Sequence, residues 1–231
     1  MECRLVRVRG CPRCGRLLAV GHSGVVQPAT EPGADDVTAR RRAVARAGHV
    51  GDAALARAGT TDPAPAVRAT ALGALDRLGA LGDGDLSDAV ADPDPAVRRR
   101  AVELAATRPG VAVLALLDDP DGSVVEMCAW SLGEREEAAA VGRLAALAAA
   151  GGGHADPLCR EAAVAALGAI GDPAGLPAVL AALDDKPAIR RRAAVALAAF
   201  EGPEVEAALH RCLEDRDWQV RQVAEDLLAV D

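Results

Sequence analysis

An arginine recurs along this chain at nearly constant intervals. Arg40, Arg68, Arg98, Arg160, Arg190 and Arg221 share one column, Val125 stands in it once, and the steps are 28, 30, 27, 35, 30 and 31 residues. Three positions after each member stands a small residue: Ala43, Ala71, Ala101, Cys128, Ala163, Ala193 and Ala224. Six segments align on this column, opening at Asp62, Asp92, Asp119, Ala155, Asp184 and Asp215, and a looser seventh opens at Asp35. A unit of this length has room for two short helices and cannot bury both of its faces alone. Repetition of such units therefore specifies a stack in which neighbours cover one another.

Composition says what the units are made of. Of 231 residues 54 are Ala, and only Trp130, Trp218 and Phe200 are aromatic, so the core is built from small side chains at close range. Ala is the best helix former and is depleted from strands, so the chain is expected to be all-α. The second helix of each unit opens at the Asp-Pro stretch, where a carboxylate accepts from free backbone N–H groups and Pro suits the first turn. Positions three, four and seven after the column, such as Ala71, Leu72 and Leu75, form one helical face. The first helix is the shorter apolar run before it, as in Val111–Leu117, Leu176–Leu183 and Val205–Leu213. Gly171-Asp172-Pro173 ends one helix and starts another.

Arg160-Glu161-Ala162-Ala163-Val164-Ala165-Ala166-Leu167-Gly168, followed by Ile170-Gly171-Asp172-Pro173 and Leu176-Pro177, resembles the short HEAT-like repeats of the phycobilin-lyase type. The resemblance runs from about Asp35 to Asp231. It implies a right-handed α-α superhelix of about six to seven two-helix repeats, occupying residues 37–231, with the second helices lining a concave face. It also implies an inter-repeat ladder that pairs Asp62, Asp92, Asp119, Asp184 and Asp215 with Arg68, Arg98, Arg160, Arg190 and Arg221. Proteins of this type include chromophore lyases, hydroxylases and plain scaffolds, so the resemblance says more about fold than about function.

If one face of each second helix is buried, positions one, two and five after the column point outward. They hold Arg99, Arg100 and Glu103, then Glu126, Met127 and Trp130, then Glu161, then Arg191 and Arg192. Trp130 stands where other repeats carry Gly73, Glu103, Ala165 or Asp226, in the one repeat whose column Arg is Val125. With Met127 beside it, Trp130 is the candidate anchor for a protein partner. Trp218 is expected to pack at a helix start or close the C-terminal end. Gly151-Gly152-Gly153 accounts for the long 35-residue step as a loop insertion.

Chemistry finds little purchase. None of the four histidines, His22, His49, His154 and His210, is followed by Glu, so the paired His-Glu motifs of the hydroxylase branch are missing. A net charge of −8 with three aromatics argues against a nucleic-acid-binding cleft. No Gly-rich phosphate loop or nucleophile elbow is present. The metal candidate is Cys11-Pro12-Arg13-Cys14, shaped like a zinc knuckle, with Cys3 or His22 as further ligands. Residues 1–36 are thus read as a Cys-containing tail, disordered or holding a small zinc knuckle. Cys128, Cys159 and Cys212 fall inside helical patterns as small hydrophobes. No apolar run is long enough to cross a membrane. The expectation is a cytoplasmic, non-enzymatic scaffold with no required cofactor, which presents a concave helical surface to a protein partner. Its alternatives are a bilin-lyase-like chromophore- and acceptor-binding subunit and a zinc-dependent adaptor.

Overall fold

A computed structural model describes residues 34–229. Cys3, Cys11, Cys14 and His22 lie outside the described residues. Those residues fold into twelve α-helices joined by short turns and 3₁₀ segments, with no strand among them. Seven helices carry the Arg column: α1 (Ala34–Val50), α3 (Pro65–Arg77), α5 (Pro95–Ala105), α6 (Gly122–Glu134), α8 (Pro157–Ile170), α10 (Pro187–Ala196) and α12 (Trp218–Leu228). Their shorter partners are α2 (Ala53–Gly59), α4 (Asp83–Ala89), α7 (Val141–Ala148), α9 (Leu176–Ala182) and α11 (Pro203–Cys212). Before α6 the partner is only a 3₁₀ segment, Leu114–Asp118, where the sequence led us to expect a helix over Val111–Leu117.

Each long helix packs against the next in an unbroken row from α1 to α12, whereas the short helices meet one another closely only around α7. The long helices thus form the continuous row of the stack. Small side chains make the tight row feasible. Ala71, Ala101, Cys128, Ala163, Ala193 and Ala224 are all fully buried at the seams. At the α6–α8 crossing the backbones come so close that a Cβ on Gly133 would stand 2.9 Å from the Ala166 Cα. Interior packing leaves no slack for that atom.

The arginines clamp successive layers. Arg98 donates through Nε and Nη2 to both oxygens of Asp119, each at 2.7 Å, while its Nη1 donates at 2.9 Å to the Asp92 carbonyl of its own turn. Arg40–Asp62, Arg68–Asp92, Arg160–Asp185 and Arg190–Asp215 repeat this two-pronged pairing. Among the described residues Arg221 makes the carbonyl bond, to Asp215 at 2.7 Å, and no carboxylate bond. Planar guanidinium and carboxylate match in shape, so each rung fixes register as well as adding charge-assisted bonds.

Two details depart from the sequence reading. The acceptor for Arg160 is Asp185, and Asp184 lies exposed outside the ladder. Asp62, Asp92, Asp119 and Asp215 donate their backbone N–H three residues back, to Gly59, Ala89, Leu116 and Cys212, and Asp185 does the same to Ala182. The ladder aspartate therefore keeps register with the preceding short helix. The turn before α10 is one residue shorter, so counting back from the Arg column lands on the wrong aspartate. The ladder aspartates also do not cap the long helices: that role falls to Asp94, Asp121, Asp156 and Asp217, whose carboxylates accept from the N–H two residues on. The ladder residue accepts instead from the cap residue's own N–H, as Asp92 does from Asp94 at 2.9 Å.

One rung is absent by a matched pair of changes. Val125 fills the Arg place on α6 and is fully buried, and His154 fills the Asp place before α8. His154 keeps the turn geometry, with Nδ1 accepting the Asp156 N–H at 3.1 Å and its carbonyl accepting from Arg160 at 2.8 Å. Across this seam the Cys159 thiol donates to the Gly122 carbonyl at 3.2 Å. Buried Val125 and a thiol–carbonyl bond thus stand where other seams have the ion pair. Trp218, expected to pack at a helix start or close the C-terminal end, is the first residue of α12 and keeps 64 % of its surface exposed.

Arg98→Ala is expected to lower unfolding free energy by about 1–3 kcal/mol in urea titrations, because Asp119 loses its partner in a nearly buried setting. Arg98 holds the Asp119 carboxyl below the usual carboxylate range, and Arg160 and Arg190 do the same for Asp185 and Asp215. Depressed carboxyl values in the folded state mean that this stabilisation is complete above the unfolded value near ~4 and is lost as pH falls through the folded values. Melting temperature should therefore be level from neutral pH to about 5 and fall below about 4, with a shallower acid limb in Asp119→Asn. Val125→Arg alone should cost about 3 kcal/mol by burying an unpaired cation, and His154→Asp added to it should recover a measurable part, read as a positive coupling in a double-mutant cycle.

Candidate functional site

Glu126, Met127 and Trp130 lie one, two and five positions after Val125, on the α6 face opposite the seam residues Cys128, Ala129 and Leu132. α8 answers with Ala162 and Ala165 at the corresponding outward positions. Alanine beside tryptophan leaves a trough. The resulting groove, about 660 Å³, runs over α6 and α8, with Glu103 of α5 at one end and Arg192 of α10 at the other. Its walls include Leu158 and Glu161 of α8 and Glu134 at the end of α6. Trp130 keeps 43 % of its surface exposed here and Leu158 keeps 56 %.

The expected partner-binding residues divide in two. Glu103, Glu126, Met127, Trp130 and Arg192 come together in the groove, whereas Arg99, Arg100 and Arg191 do not line it. Arg100 turns over Gly73 and pairs with Glu103 at 2.8 Å, on its own helix. Arg191 donates to Gln219 at 2.6 Å and lies 3.4 Å from Asp217, next to the ladder. The pattern of outward positions could not tell a side chain that points into the trough from one that reaches along the seam. Leu158, Glu134 and the alanines were not anticipated. Leu158 lies in the first turn of α8, where an apolar residue reads as solvent-facing, and the importance of Ala162 and Ala165 comes from what they leave unfilled.

Charge in the groove is one-sided. Glu161 has Arg192 3.6 Å away and Glu103 has Arg100, but among the described residues no Arg or Lys pairs with Glu126 or Glu134. Four carboxylates thus share the groove with the apolar side chains of Met127, Trp130 and Leu158. Side chains suited to covalent chemistry lie elsewhere. Burial pushes the Cys128 thiol up to about 12 and the Cys159 thiol up to about 11, so neither presents a thiolate near neutral pH. Among the described residues no cluster of three His, Cys, Asp or Glu side chains has the placement to hold a metal ion. Nor is any described helix long and apolar enough to cross a membrane.

Comparison with known proteins bears on the scaffold rather than the groove. The family model for HEAT repeats matches residues 111–188 and 149–229, which together span just over half of the chain. No curated protein matches. Among solved structures, the Escherichia coli protein YibA superposes with a TM-score of 0.58 at 15 % identity, over 88 % of this chain and 77 % of that one. Looser overlaps include a designed armadillo repeat protein in complex with the peptide (KR)4, with a TM-score of 0.48 at 15 % identity over 87 % of this chain and 95 % of that one. Human deoxyhypusine hydroxylase in complex with glycerol gives 0.38 at 21 % identity over 84 % and 90 %. At these identities the structural likeness concerns the fold alone. With two-helix units repeated on an arginine column and a family model matched over both of its C-terminal spans, the chain belongs to the HEAT-repeat proteins.

Proposed function

We propose that this HEAT-repeat chain is a non-catalytic scaffold of the cytoplasm, and that the α6–α8 groove is where a protein partner docks. The observation that carries this reading is Trp130. A tryptophan held 43 % exposed beside a groove of about 660 Å³ is a costly surface group for a free protein and an effective anchor for a bound one. Of the other two aromatics, Phe200 is nearly buried and Trp218 is exposed but does not line this groove. The helices that carry the groove are stitched on both sides by Arg98–Asp119 and Arg160–Asp185, so the surface is preorganised and a partner loses little free energy ordering it.

The groove's charge weighs against the bilin-lyase-like alternative. A tetrapyrrole carries propionates, and four surrounding carboxylates repel them. The zinc-dependent adaptor would rest on Cys11 and Cys14, outside the described residues, and metal analysis of the full chain addresses it directly.

The test is a pull-down that compares the wild-type chain with Trp130→Ala and Trp218→Ala. Partner recovery should fall by at least about tenfold for Trp130→Ala, the scale expected of an interface anchor, and stay unchanged for Trp218→Ala. Equal recovery from wild type and Trp130→Ala removes the groove as the docking site. A visible absorbance band that co-purifies with the chain would favour the bilin-lyase-like alternative instead.

A further inference from the structure

The docking reading leaves the partner's chemistry open, and the groove's own charges narrow it. Glu126 and Glu134 stand on α6 one and nine positions after Val125, roughly two helical turns apart, with Trp130 between them. All three line the same groove. Neither carboxylate is matched by a cation among the described residues, although arginine is abundant nearby: Arg100, Arg191 and Arg192 are each engaged with other side chains. Among the described residues that line the groove the sole cation is Arg192, already beside Glu161. The floor between the carboxylates is apolar, formed by Met127, Trp130 and Leu158.

We infer that the groove binds a basic segment of a partner protein, one that inserts a single apolar side chain against Trp130 and Met127 while flanking Lys or Arg side chains meet Glu126 and Glu134. This inference rests on the docking reading and adds the sign and pattern of the partner's charge. Three physical terms converge on such a segment. Apolar contact with Trp130 and Met127 supplies affinity. A cationic occupant offsets the charge of Glu126 and Glu134, which no described cation pairs, and an acidic segment is disfavoured by the same carboxylates. A cation near the exposed indole also gains from its ring quadrupole. The thioether of Met127 adapts to more than one apolar shape, so the anchor's size is less constrained than the flanking charge.

The experiment uses the full chain and three fluorescein-labelled synthetic peptides of equal length, read by fluorescence anisotropy. One carries a central Leu flanked by Lys and Arg, the second replaces the basic residues with Glu, and the third replaces Leu with Ser. The basic Leu peptide should bind, the Glu peptide should bind at least about tenfold more weakly, and the Ser peptide should lose affinity by a similar factor. Glu126→Gln/Glu134→Gln should weaken the basic peptide by about tenfold, whereas Glu204→Gln/Glu206→Gln, an equal charge change on α11 away from the groove, should leave it within about twofold. Affinity of the wild-type chain for the basic peptide should also fall as salt rises, since surface charges are screened beyond about 10 Å at 0.1 M. This salt series needs no variant and so reads the charge dependence even if a substitution disturbs folding. If the Glu peptide binds as tightly as the basic one, or if Glu126→Gln/Glu134→Gln leaves affinity unchanged, the charge inference is overturned, and sensitivity to Trp130→Ala would then leave the docking reading standing. If Trp130→Ala binds the basic Leu peptide as well as wild type does, the groove is not the site and both readings fall.

Discussion

Each helix pair in this chain has two apolar faces and covers only one of them from within. Everything else in the structure follows from how the second is covered. The long helices do it by packing on one another through a column of alanines and one cysteine, with Gly133 and Ala166 marking how near two backbones approach. Burial of small side chains yields modest stabilisation per residue, since hydrophobic stabilisation scales with apolar area. A continuous core from α1 to α12 compensates by length, as in any solenoid where stability sums over nearest-neighbour interfaces. The absence of large side chains inside is also what leaves shallow troughs outside, wherever alanines occupy outward positions next to a larger neighbour.

Close packing of near-identical faces does not by itself choose a register, because alanine against alanine fits in several. The two-pronged Arg–Asp rungs do. From Arg68 onward each joins three points, a guanidinium on one long helix, a carbonyl of its own turn and a carboxylate of the next unit, in a geometry that a shift of one residue would break. Such a pair is dear to break because either partner alone would be a poorly solvated charge. The exception is informative. At the α6–α8 seam the cation and its acceptor change together, Val125 for Arg and His154 for Asp, and the seam holds by shape and by a thiol–carbonyl bond. The groove with Trp130 opens on the other side of those same two helices. Positioning a binding surface at the seam that lacks an Arg–Asp rung keeps a ladder arginine away from charges offered to a partner.

The groove shows how function can sit on a scaffold without altering it. Met127 and Trp130 bring large apolar side chains to outward positions where α8 carries Ala162 and Ala165, while the fully buried seam residues Cys128 and Ala129 are kept. Stability and recognition therefore occupy opposite faces of α6, and a substitution on one face is largely decoupled from the other. Separation of this kind is what lets repeat architectures carry many partners on one fold.

Period, helical character, the buried column and the Arg–Asp partnership were all legible in the residues, because each is a local or nearly periodic property: helix propensity, face spacing and recurrence survive projection onto one dimension. Val125 as the odd member and Trp130 as an outward residue were legible for the same reason. What the stacked structure alone decided were matters of distance between units. Asp185 rather than Asp184 accepts from Arg160 because the turn before α10 is one residue shorter, and the ladder counts from the preceding helix. Val111–Leu117 shortens to a 3₁₀ segment, Trp218 stays in solvent, and Arg99, Arg100 and Arg191 do not line the groove while Leu158 and Glu134 do. Such outcomes depend on where a neighbouring helix comes to rest, and that is set by the summed packing of many small side chains, which no single position in the sequence records.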